Sequence, residues 1–272
     1  MDDFLIETSK KIKEKNHCHH KTAIITGGSG RIGSVFTKIL LQNKTKVICL
    51  SRDQNKFEKF KKSLATKEKK NIFWYECNLE DLNKIDKIVK IIKKKFKKID
   101  LLINNASSSY RGSDFKYDSN LITKEINNIT TGTILLTEKV LPTLRKQKES
   151  KIINIGSLWG IRAPKFKTYL NMNNGPTPII AIGKSGLMNY TKYLAERESK
   201  YKITVNNLVP GWFPRKGKKV NKSYIKSICN NIPLKRIGKL NDLISPIIFL
   251  LSNGSKYFNG QDLIVDGGYT IY

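Results

Sequence analysis

A glycine-rich turn near the N-terminus most constrains how this chain can fold. Residues 26–33 read Thr-Gly-Gly-Ser-Gly-Arg-Ile-Gly, between an apolar run at 23–25 and a segment at 34–41 whose apolar residues recur at helical spacing. Glycine permits a tight turn and the close approach of an anion, and the N–H groups at a helix start point toward that anion. An ordinary strand-to-helix turn is the plainer alternative, but context and spacing favour a dinucleotide phosphate cradle. Its predicted members are Gly27, Ser29, Gly30, Arg31, Ile32 and Gly33.

Strand-like and helical segments alternate along the whole chain. Short apolar runs predict strands at 22–26, 46–50, 72–76, 100–103, 151–155, 203–208 and 262–265. Helical periodicity predicts helices around 31–43, 53–66, 80–97, 117–147, 180–200 and 241–252. We therefore expect an α/β fold, a doubly wound seven-stranded parallel sheet with helices on both faces. It would form a single domain over 21–272 after a polar extension at 1–20, with irregular stretches at 160–179 and 212–227.

The lysine content is the most unusual feature of the composition. The chain carries 51 Lys and Arg against 22 Asp and Glu, a formal net charge of +29. One lysine-rich segment has an apolar stripe that predicts an amphipathic helix with a solvated lysine face. The stripe consists of Ile85, Ile88, Ile92, Phe96 and Ile99. Charge alone would attract polyanions, but the chain has no recognition-helix pattern, so an anionic small-molecule substrate is favoured over nucleic acid.

The cysteines and histidines do not predict a metal site. All three histidines lie with Cys18 in the polar segment 17–20, whereas structural zinc sites usually join two ligand clusters. Cys49 and Cys77 fall in strand-like runs and are predicted to be buried free thiols, typical of a reducing compartment. No apolar run is long enough to span a bilayer, and the acidic start lacks a signal-peptide core. We therefore expect a cytoplasmic protein without a membrane partner.

Several motifs follow the predicted strands in a fixed order. They are Asn-Asn-Ala at 104–106, Asn-Ile-Gly-Ser at 154–157, Val-Pro-Gly at 209–211, Pro-Leu-Lys-Arg-Ile-Gly at 233–238 and Val-Asp-Gly-Gly at 265–268. Together with the glycine turn they resemble the short-chain dehydrogenase/reductase family over about residues 21–272. The resemblance implies a Rossmann-type fold, oxidoreductase activity with a nicotinamide dinucleotide, a small-molecule substrate and a homo-oligomer. The loop at 163–169 and the insert after Ser157 resemble the branch linked to flagellin modification and nonulosonic sugars.

The end of the second strand indicates which dinucleotide is preferred. Members of the family that prefer NAD place Asp there, whereas this chain has Ser51 and Arg52, which can bind a 2′-phosphate, with Arg31 adding charge. We therefore expect NADP(H) rather than NAD(H), although Arg52 beside Asp53 could instead be only solvated. After the third strand the family usually has Asp against the adenine, where this chain has Asn78. The other cofactor-binding positions implied by the resemblance are Leu79, Asn105, Ala106, Lys184, Pro210, Gly211 and Trp212.

The family's proton-transferring tyrosine is missing from its usual position. The resemblance implies that Ser157 orients the substrate carbonyl and that Lys184 holds the nicotinamide ribose, but Ile180 stands four residues before Lys184, where the tyrosine is expected. The helix asparagine is also displaced, since Asn128 lies one position before the slot that Ile129 fills. Isoleucine cannot transfer a proton, and general acid–base help is typically worth about 10²–10⁴-fold.

Three sources could replace the missing acid, and they leave more than one function open. Tyr169 could reach in from the insert, Lys184 could act through a water, or the substrate could supply its own acid. The first hypothesis is an NADP(H)-dependent oxidoreductase of a polar carbonyl or alcohol, such as a sugar, with atypical proton chemistry. The alternatives are a catalytically silent dinucleotide-binding sensor or partner subunit, and a polyanion-binding protein on the same scaffold. For the homo-oligomer, the candidate seam residues are Leu135, Leu136, Leu187, Tyr190 and Leu194.

Overall fold

The computed structural model describes residues 18, 20–107, 118–169, 176–213 and 222–272, and its seven strands form one parallel sheet. The strands are β1 (Thr22–Thr26), β2 (Lys46–Ser51), β3 (Ile72–Glu76), β4 (Leu101–Asn104), β5 (Ser150–Ile155), β6 (Ile203–Pro210) and β7 (Asp262–Val265). Their order across the sheet is β3-β2-β1-β4-β5-β6-β7. The order reverses between β1 and β4, which creates a crevice at the carboxyl ends of the strands. The predicted doubly wound sheet is confirmed.

Helices fill the connections between the strands. They are α1 (Gly33–Gln42), α2 (Gln54–Lys62), α3 (Thr66–Lys69), α4 (Leu82–Lys95), α5 (Ser119–Ile126), α6 (Gly132–Leu144), α7 (Pro178–Glu198), α8 (Lys222–Asn230) and α9 (Ile244–Leu251), with a π-helix (Asn127–Thr131) between α5 and α6. Helix α8 corrects the expectation of an irregular stretch at 212–227. Its apolar residues recur at helical spacing, and Ile228 is buried in a cluster with Leu158 and Tyr269.

Two apolar layers cover the faces of the sheet. Helices α1, α2 and α9 pack on one face, and α4, α6 and α7 pack on the other. In α4 the lysine side faces solvent, and of the predicted stripe Ile85, Ile92, Phe96 and Ile99 are buried while Ile88 is only partly buried; Val89, outside that stripe, is buried as well. No helix among the described residues is long and apolar enough to cross a membrane.

The packing removes three residues from the predicted oligomer seam. Leu136, Leu187 and Leu194 are at most 1% exposed, because their side chains are buried within the protomer. Helices α6 and α7 use these leucines for the core rather than for an outer surface. Leu135 and Tyr190 are only partly buried and stay candidates.

A row of buried amide side chains joins the four strands β4 to β7. Asn104, Asn154 and Asn207 are neighbours in the strand register. Asn104 Nδ2 donates to Asn154 Oδ1 at 2.8 Å, and Asn207 Nδ2 donates to Asp262 Oδ1 at 2.6 Å. Thr191 of α7 completes the row, since it accepts from Asn154 at 2.7 Å and donates to Asn207 at 2.8 Å. Buried polar groups that satisfy one another in this way hold the strands in one arrangement near the crevice.

The four cysteines are unpaired thiols, and Cys49 and Cys77 are buried as predicted. Cys18 is also buried, with its Sγ donating to the carbonyl of Leu251 at 3.1 Å. Within the part of the chain that the structure describes, no three His, Cys, Asp or Glu side chains cluster as a metal site requires. His17 and His19, like most of the extension at 1–20, lie outside the described residues.

Candidate functional site

The glycine turn after β1 has the geometry of an anion cradle. Gly27 has a φ of +63°, which favours glycine, and a Cβ at Gly33 would lie 2.3 Å from the carbonyl oxygen of Gly27. A Cβ at Gly30 would also lie only 2.8 Å from that oxygen. The backbone is therefore packed so closely at these two positions that a residue with a Cβ would clash with it. Among the residues that the structure describes, no side chain caps the first turn of α1, and that turn contains no acidic residue, so its N–H groups are suited to a phosphate.

Thr26 and Asn105 support this turn from below. Thr26 Oγ1 accepts hydrogen bonds from the backbone N–H groups of Asn105 and Ala106, both at 2.9 Å. Asn105 Nδ2 donates to the carbonyls of Thr26 at 2.9 Å and Gly27 at 3.1 Å. The structure thus joins the predicted cofactor residues after β4 to the cradle after β1. Ser107, which follows Ala106, is exposed at the rim.

At the end of β2, Arg52 is paired with a carboxylate that the sequence did not single out. Arg52 Nη1 lies 2.8 Å from Glu80 Oε1, with the two side chains 48% and 12% exposed. Glu80 directly follows Asn78 and Leu79, and all three residues lie beyond the end of β3, where adenine contacts are predicted. Asp53 does not face this pair, because its Oδ1 accepts from the N–H of Lys56 at 2.8 Å and caps α2. Ser51 Oγ accepts from Trp74 Nε1 at 2.9 Å.

Arg31 takes a different position from the one expected beside Arg52. Its Nη1 donates to the carbonyl of Phe213, in the loop after β6. Since β6 and β2 lie on opposite sides of β1, the two arginines point to different ends of the cradle. Arg31 therefore contacts the loop after β6, and its predicted contribution to cofactor binding stays a prediction.

Ser157 and Lys184 lie close together at the carboxyl end of β5. Ser157 precedes a 3₁₀ helix (Leu158–Gly160), and its Oγ accepts from the N–H of Trp159 at 3.2 Å. Lys184 is 4% exposed, and its Nζ donates to the carbonyl of Ile155 at 2.6 Å. Burial lowers the pKa of Lys184 to about 8. The site therefore holds a hydroxyl that can donate to a substrate oxygen and an ammonium whose pKa is about 8.

Ile180 lies one helical turn before Lys184 near the start of α7. Its N–H donates to Thr177 Oγ1 at 3.3 Å, and Thr177 in turn donates to Glu125 Oε2 at 3.0 Å. This cap determines where α7 begins, so the position of Ile180 relative to Lys184 follows from the helix geometry. Tyr169 ends a 3₁₀ helix (Phe166–Tyr169), and its side chain lies outside the described residues.

The π-helix changes the spacing around Asn128. A π-helix places one extra residue in a turn. Counting back from Gly132 with ordinary helical spacing therefore misplaces the expected asparagine by one position. Ile129 packs against Gly183 of α7, where an added Cβ would lie 2.8 Å from Ile129 Cγ2. Asn128 is buried, and its Nδ2 lies 3.4 Å from Glu80 Oε1. Its predicted catalytic role stays a prediction.

An aromatic cluster lies beyond Ser157, and sequence reasoning found only one of its members. Trp159 and Trp212 meet edge to face at 5.5 Å, and Tyr269 contacts both at 6.0 and 6.4 Å. Tyr224 of α8 joins Trp212 at 6.3 Å. These rings come from four distant segments, so no local pattern could have identified them. Pro210 and Gly211 lead into the cluster, and a Cβ at Gly211 would lie 2.6 Å from the Cα of Asp266.

Comparison with known proteins covers nearly the whole chain. A family profile described as enoyl-(acyl carrier protein) reductase matches residues 29–270. A 3-oxoacyl-(acyl-carrier-protein) reductase from Buchnera aphidicola subsp. Schizaphis graminum is 33% identical over 91% of this chain and 96% of its own length. The post-translational flagellin modification protein A of Campylobacter coli is 27% identical over 92% of this chain and 98% of its own length. A short chain dehydrogenase from Leptospira borgpetersenii solved with bound NAD+ is 29% identical, with a TM-score of 0.81 over 93% of both chains.

Proposed function

The chain belongs to the short-chain dehydrogenase/reductase family of oxidoreductases, and from that premise we propose that it uses NADP(H) to interconvert a polar carbonyl, such as that of a sugar, and its alcohol. The observation that carries the proposal is the joint placement of Ser157, Lys184 and the glycine cradle at one edge of the sheet. The four unpaired thiols favour a cytoplasmic location.

The bound dinucleotide would supply or take up a hydride at the substrate carbon. The fit of the cradle to a dinucleotide rests on its tightly packed glycines and the open start of α1. Ser157 Oγ accepts a hydrogen bond from the N–H of Trp159, and its own proton would orient the substrate oxygen. Lys184 would hold the nicotinamide ribose.

Lys184 also supports the proposal of atypical proton chemistry. On reduction the substrate oxygen gains a proton, and Ile180 cannot provide it. Lys184 carries a proton that its buried position makes easier to release, since its pKa is lowered to about 8. We propose that this proton reaches the substrate oxygen through a water and is then replaced from solvent.

Cofactor preference gives the first test of the proposal. Calorimetric titration should show tighter binding of NADP+ than of NAD+, because Ser51 and Arg52 follow β2, where the family resemblance implies binding of the 2′-phosphate. Arg52→Ala should weaken NADP+ about tenfold and leave NAD+ nearly unchanged. Glu80→Gln should tighten NADP+, since it removes the carboxylate that now pairs with Arg52 at 2.8 Å.

Arg236 offers a matched control for that titration. Like Arg52 it is about half exposed, at 49%, and is paired with one carboxylate, that of Asp242 at 2.6 Å. Arg236→Ala should change neither affinity. Equal or tighter binding of NAD+, or full NADP+ affinity in Arg52→Ala, would show that the proposed preference is wrong.

Ile180 specifically favours a second candidate function. Without an acid at the substrate oxygen, the chain would bind the dinucleotide but turn nothing over, acting as a sensor or a partner subunit. The two functions differ in a turnover assay with NADP(H) and a panel of keto-sugars, run beside the titration. Tight NADP+ binding with no reduction of any compound supports the silent homologue, whereas measurable reduction supports the enzyme.

A further inference from the structure

A pocket lies beside the aromatic cluster. One of its walls is the loop after β5, and the other is the residue that directly follows α8. Its cavity has a volume of about 360 Å³, and it is lined by Lys165, Phe166, Lys167, Thr168 and Asn231. Thr168 is buried, and its Oγ1 accepts from Asn231 Nδ2 at 3.3 Å, which ties the two walls together. The same amide donates to the carbonyl of Ser227 at 2.9 Å, so the far wall is anchored on α8.

The two segments that form this pocket carry basic residues and no acidic ones. Residues 156–169 contain Arg162, Lys165 and Lys167, and α8 contains Lys222 and Lys226, while neither segment contains Asp or Glu. Some cations elsewhere are paired with carboxylates, as in the pairs Lys90–Asp86 and Arg236–Asp242. Clustered cations beside a concave surface attract an anion and raise its local concentration.

The aromatic cluster connects this pocket to the reacting centre. Tyr269 is 5% exposed, and burial raises the pKa of its phenol, while the charge of Arg162 and the nearby backbone N–H of Lys165 oppose that rise. Its ring contacts Trp159, which follows Ser157 by two residues. The carbonyl of Gly160 accepts from Ser185 Oγ at 3.0 Å, which fixes this loop beside Lys184 on α7.

We infer that this pocket binds an anionic group of the substrate, a carboxylate or a phosphate, while a flat or ring-shaped part of the same molecule lies against the aromatic cluster. Lys165 and Lys167 supply the positive charge, and Asn231 and Thr168 supply polar groups at the pocket wall. A substrate of this kind extends from Ser157 across Trp159 to the two lysines. The inference deepens the proposed function and rests on it for the identity of the reacting end.

The test uses simple probes of the two features. Wild-type protein saturated with NADP+ is titrated by calorimetry with benzyl phosphate, phenylacetate, inorganic phosphate and benzyl alcohol. Benzyl phosphate and phenylacetate represent the two anion sources, and we expect either or both to bind at least about tenfold more tightly than the neutral alcohol. Inorganic phosphate should bind more weakly than benzyl phosphate, because it lacks the ring.

Paired variants locate the binding. The double variant Lys165→Ala/Lys167→Ala should weaken benzyl phosphate about tenfold or more and leave NADP+ and benzyl alcohol unchanged. The control Lys59→Ala/Lys62→Ala removes the same charge from exposed positions on α2 and should leave the anionic probes unchanged. Both pairs replace exposed side chains, so neither is expected to disturb folding.

Other outcomes would overturn the inference. Equal loss in both double variants would show attraction by net charge alone, and equal affinity for benzyl phosphate and benzyl alcohol would show that no anion subsite exists. Competition between benzyl phosphate and NADP+ would place the probe in the glycine cradle. If NADP+ itself fails to bind, the proposed function fails, and the anion pocket is then judged by the same two double variants without cofactor.

Discussion

Position 180 is where we propose that the proton donor is missing. Ile180→Tyr places a phenol one helical turn before Lys184, whose ammonium group is held on the carbonyl of Ile155 at 2.6 Å. Because general acid catalysis is typically worth about 10²-fold or more, we expect turnover of a reducible carbonyl to rise by about that factor. Ile180→Val serves as the control, and Tyr169→Phe should have little effect. Brisk wild-type turnover that Tyr169→Phe abolishes would assign the acid to the insert.

The pH profile of the wild type is the second readout of that experiment. The pKa of Lys184 is lowered to about 8, so the group is protonated below that pH and neutral above it. If its proton is the one transferred on reduction, the rate should fall as the pH rises through about 8. A reduction rate that stays constant across that range would show that Lys184 is not the acid.

Single residues also show where sequence reasoning was sufficient and where it was not. Ser157 and Lys184 could be predicted from motif order and spacing, and the fold brings them to the same strand end. The pairing of Arg52 with Glu80 could not be predicted, because the two residues approach one another only when β2 and β3 lie side by side. Arg31 likewise finds its partner, the carbonyl of Phe213, through tertiary structure.

Among the elements, strands were easier to predict than helix details. The buried parallel strands read as continuous apolar runs, so their predicted bounds lie within two residues of those observed. Tyr224, Ile225, Ile228 and Cys229 of α8 recur at helical spacing, but this short segment was not recognised as a helix, and the π-helix at Asn127–Thr131 was not predicted either. The aromatic cluster forms because the fold brings together residues from separate segments of the chain.

The first strand and the turn that follows it act as one unit through Thr26. Its side chain is 1% exposed and accepts two backbone hydrogen bonds, from Asn105 and Ala106. Thr26→Val keeps the shape but leaves both N–H groups without that acceptor, so the free energy of unfolding should fall by about 2 kcal/mol. NADP+ should also bind more weakly, because Asn105 supports Gly27.

The control for Thr26 is Thr204, a half-buried threonine in β6. Thr204→Val should change the free energy of unfolding by well under 1 kcal/mol, as surface-type substitutions usually do. Urea unfolding followed by circular dichroism measures both variants, and calorimetry measures the affinity for NADP+. Equal stability of the two variants would show that Thr26 does not brace the turn.

At the scale of the whole molecule, composition predicted the class of protein, but it did not predict which parts of the surface bind a ligand or a partner. The +29 net charge is spread over exposed lysines such as those of α4, and it becomes informative only where the fold leaves it beside a pocket. The residues of the oligomer seam were equally hard to predict from the sequence. Periodicity identified the apolar residues of α6 and α7 but could not separate those facing the sheet from those facing outward.

The outward side of α7 is where we expect a second copy of the chain to pack. Ile182 and Tyr193 are 61% and 58% exposed. Eleven residues span about three helical turns, so both lie on one side of the helix. Tyr190, which stacks on Tyr193 at 6.4 Å, borders the same surface. Exposed apolar groups along one side of a helix favour a surface that is covered by a partner.

Light scattering at micromolar concentration should therefore show a homo-oligomer. Ile182→Lys/Tyr193→Lys should dissociate it, because two added charges would have to be buried in the contact. Ile91→Lys/Tyr257→Lys adds the same charge at positions that are 51% and 105% exposed on other parts of the surface, and it should leave the oligomer intact. A wild-type monomer would exclude the seam, whereas dissociation by both double variants would mean that added charge, and not this side of α7, determines assembly.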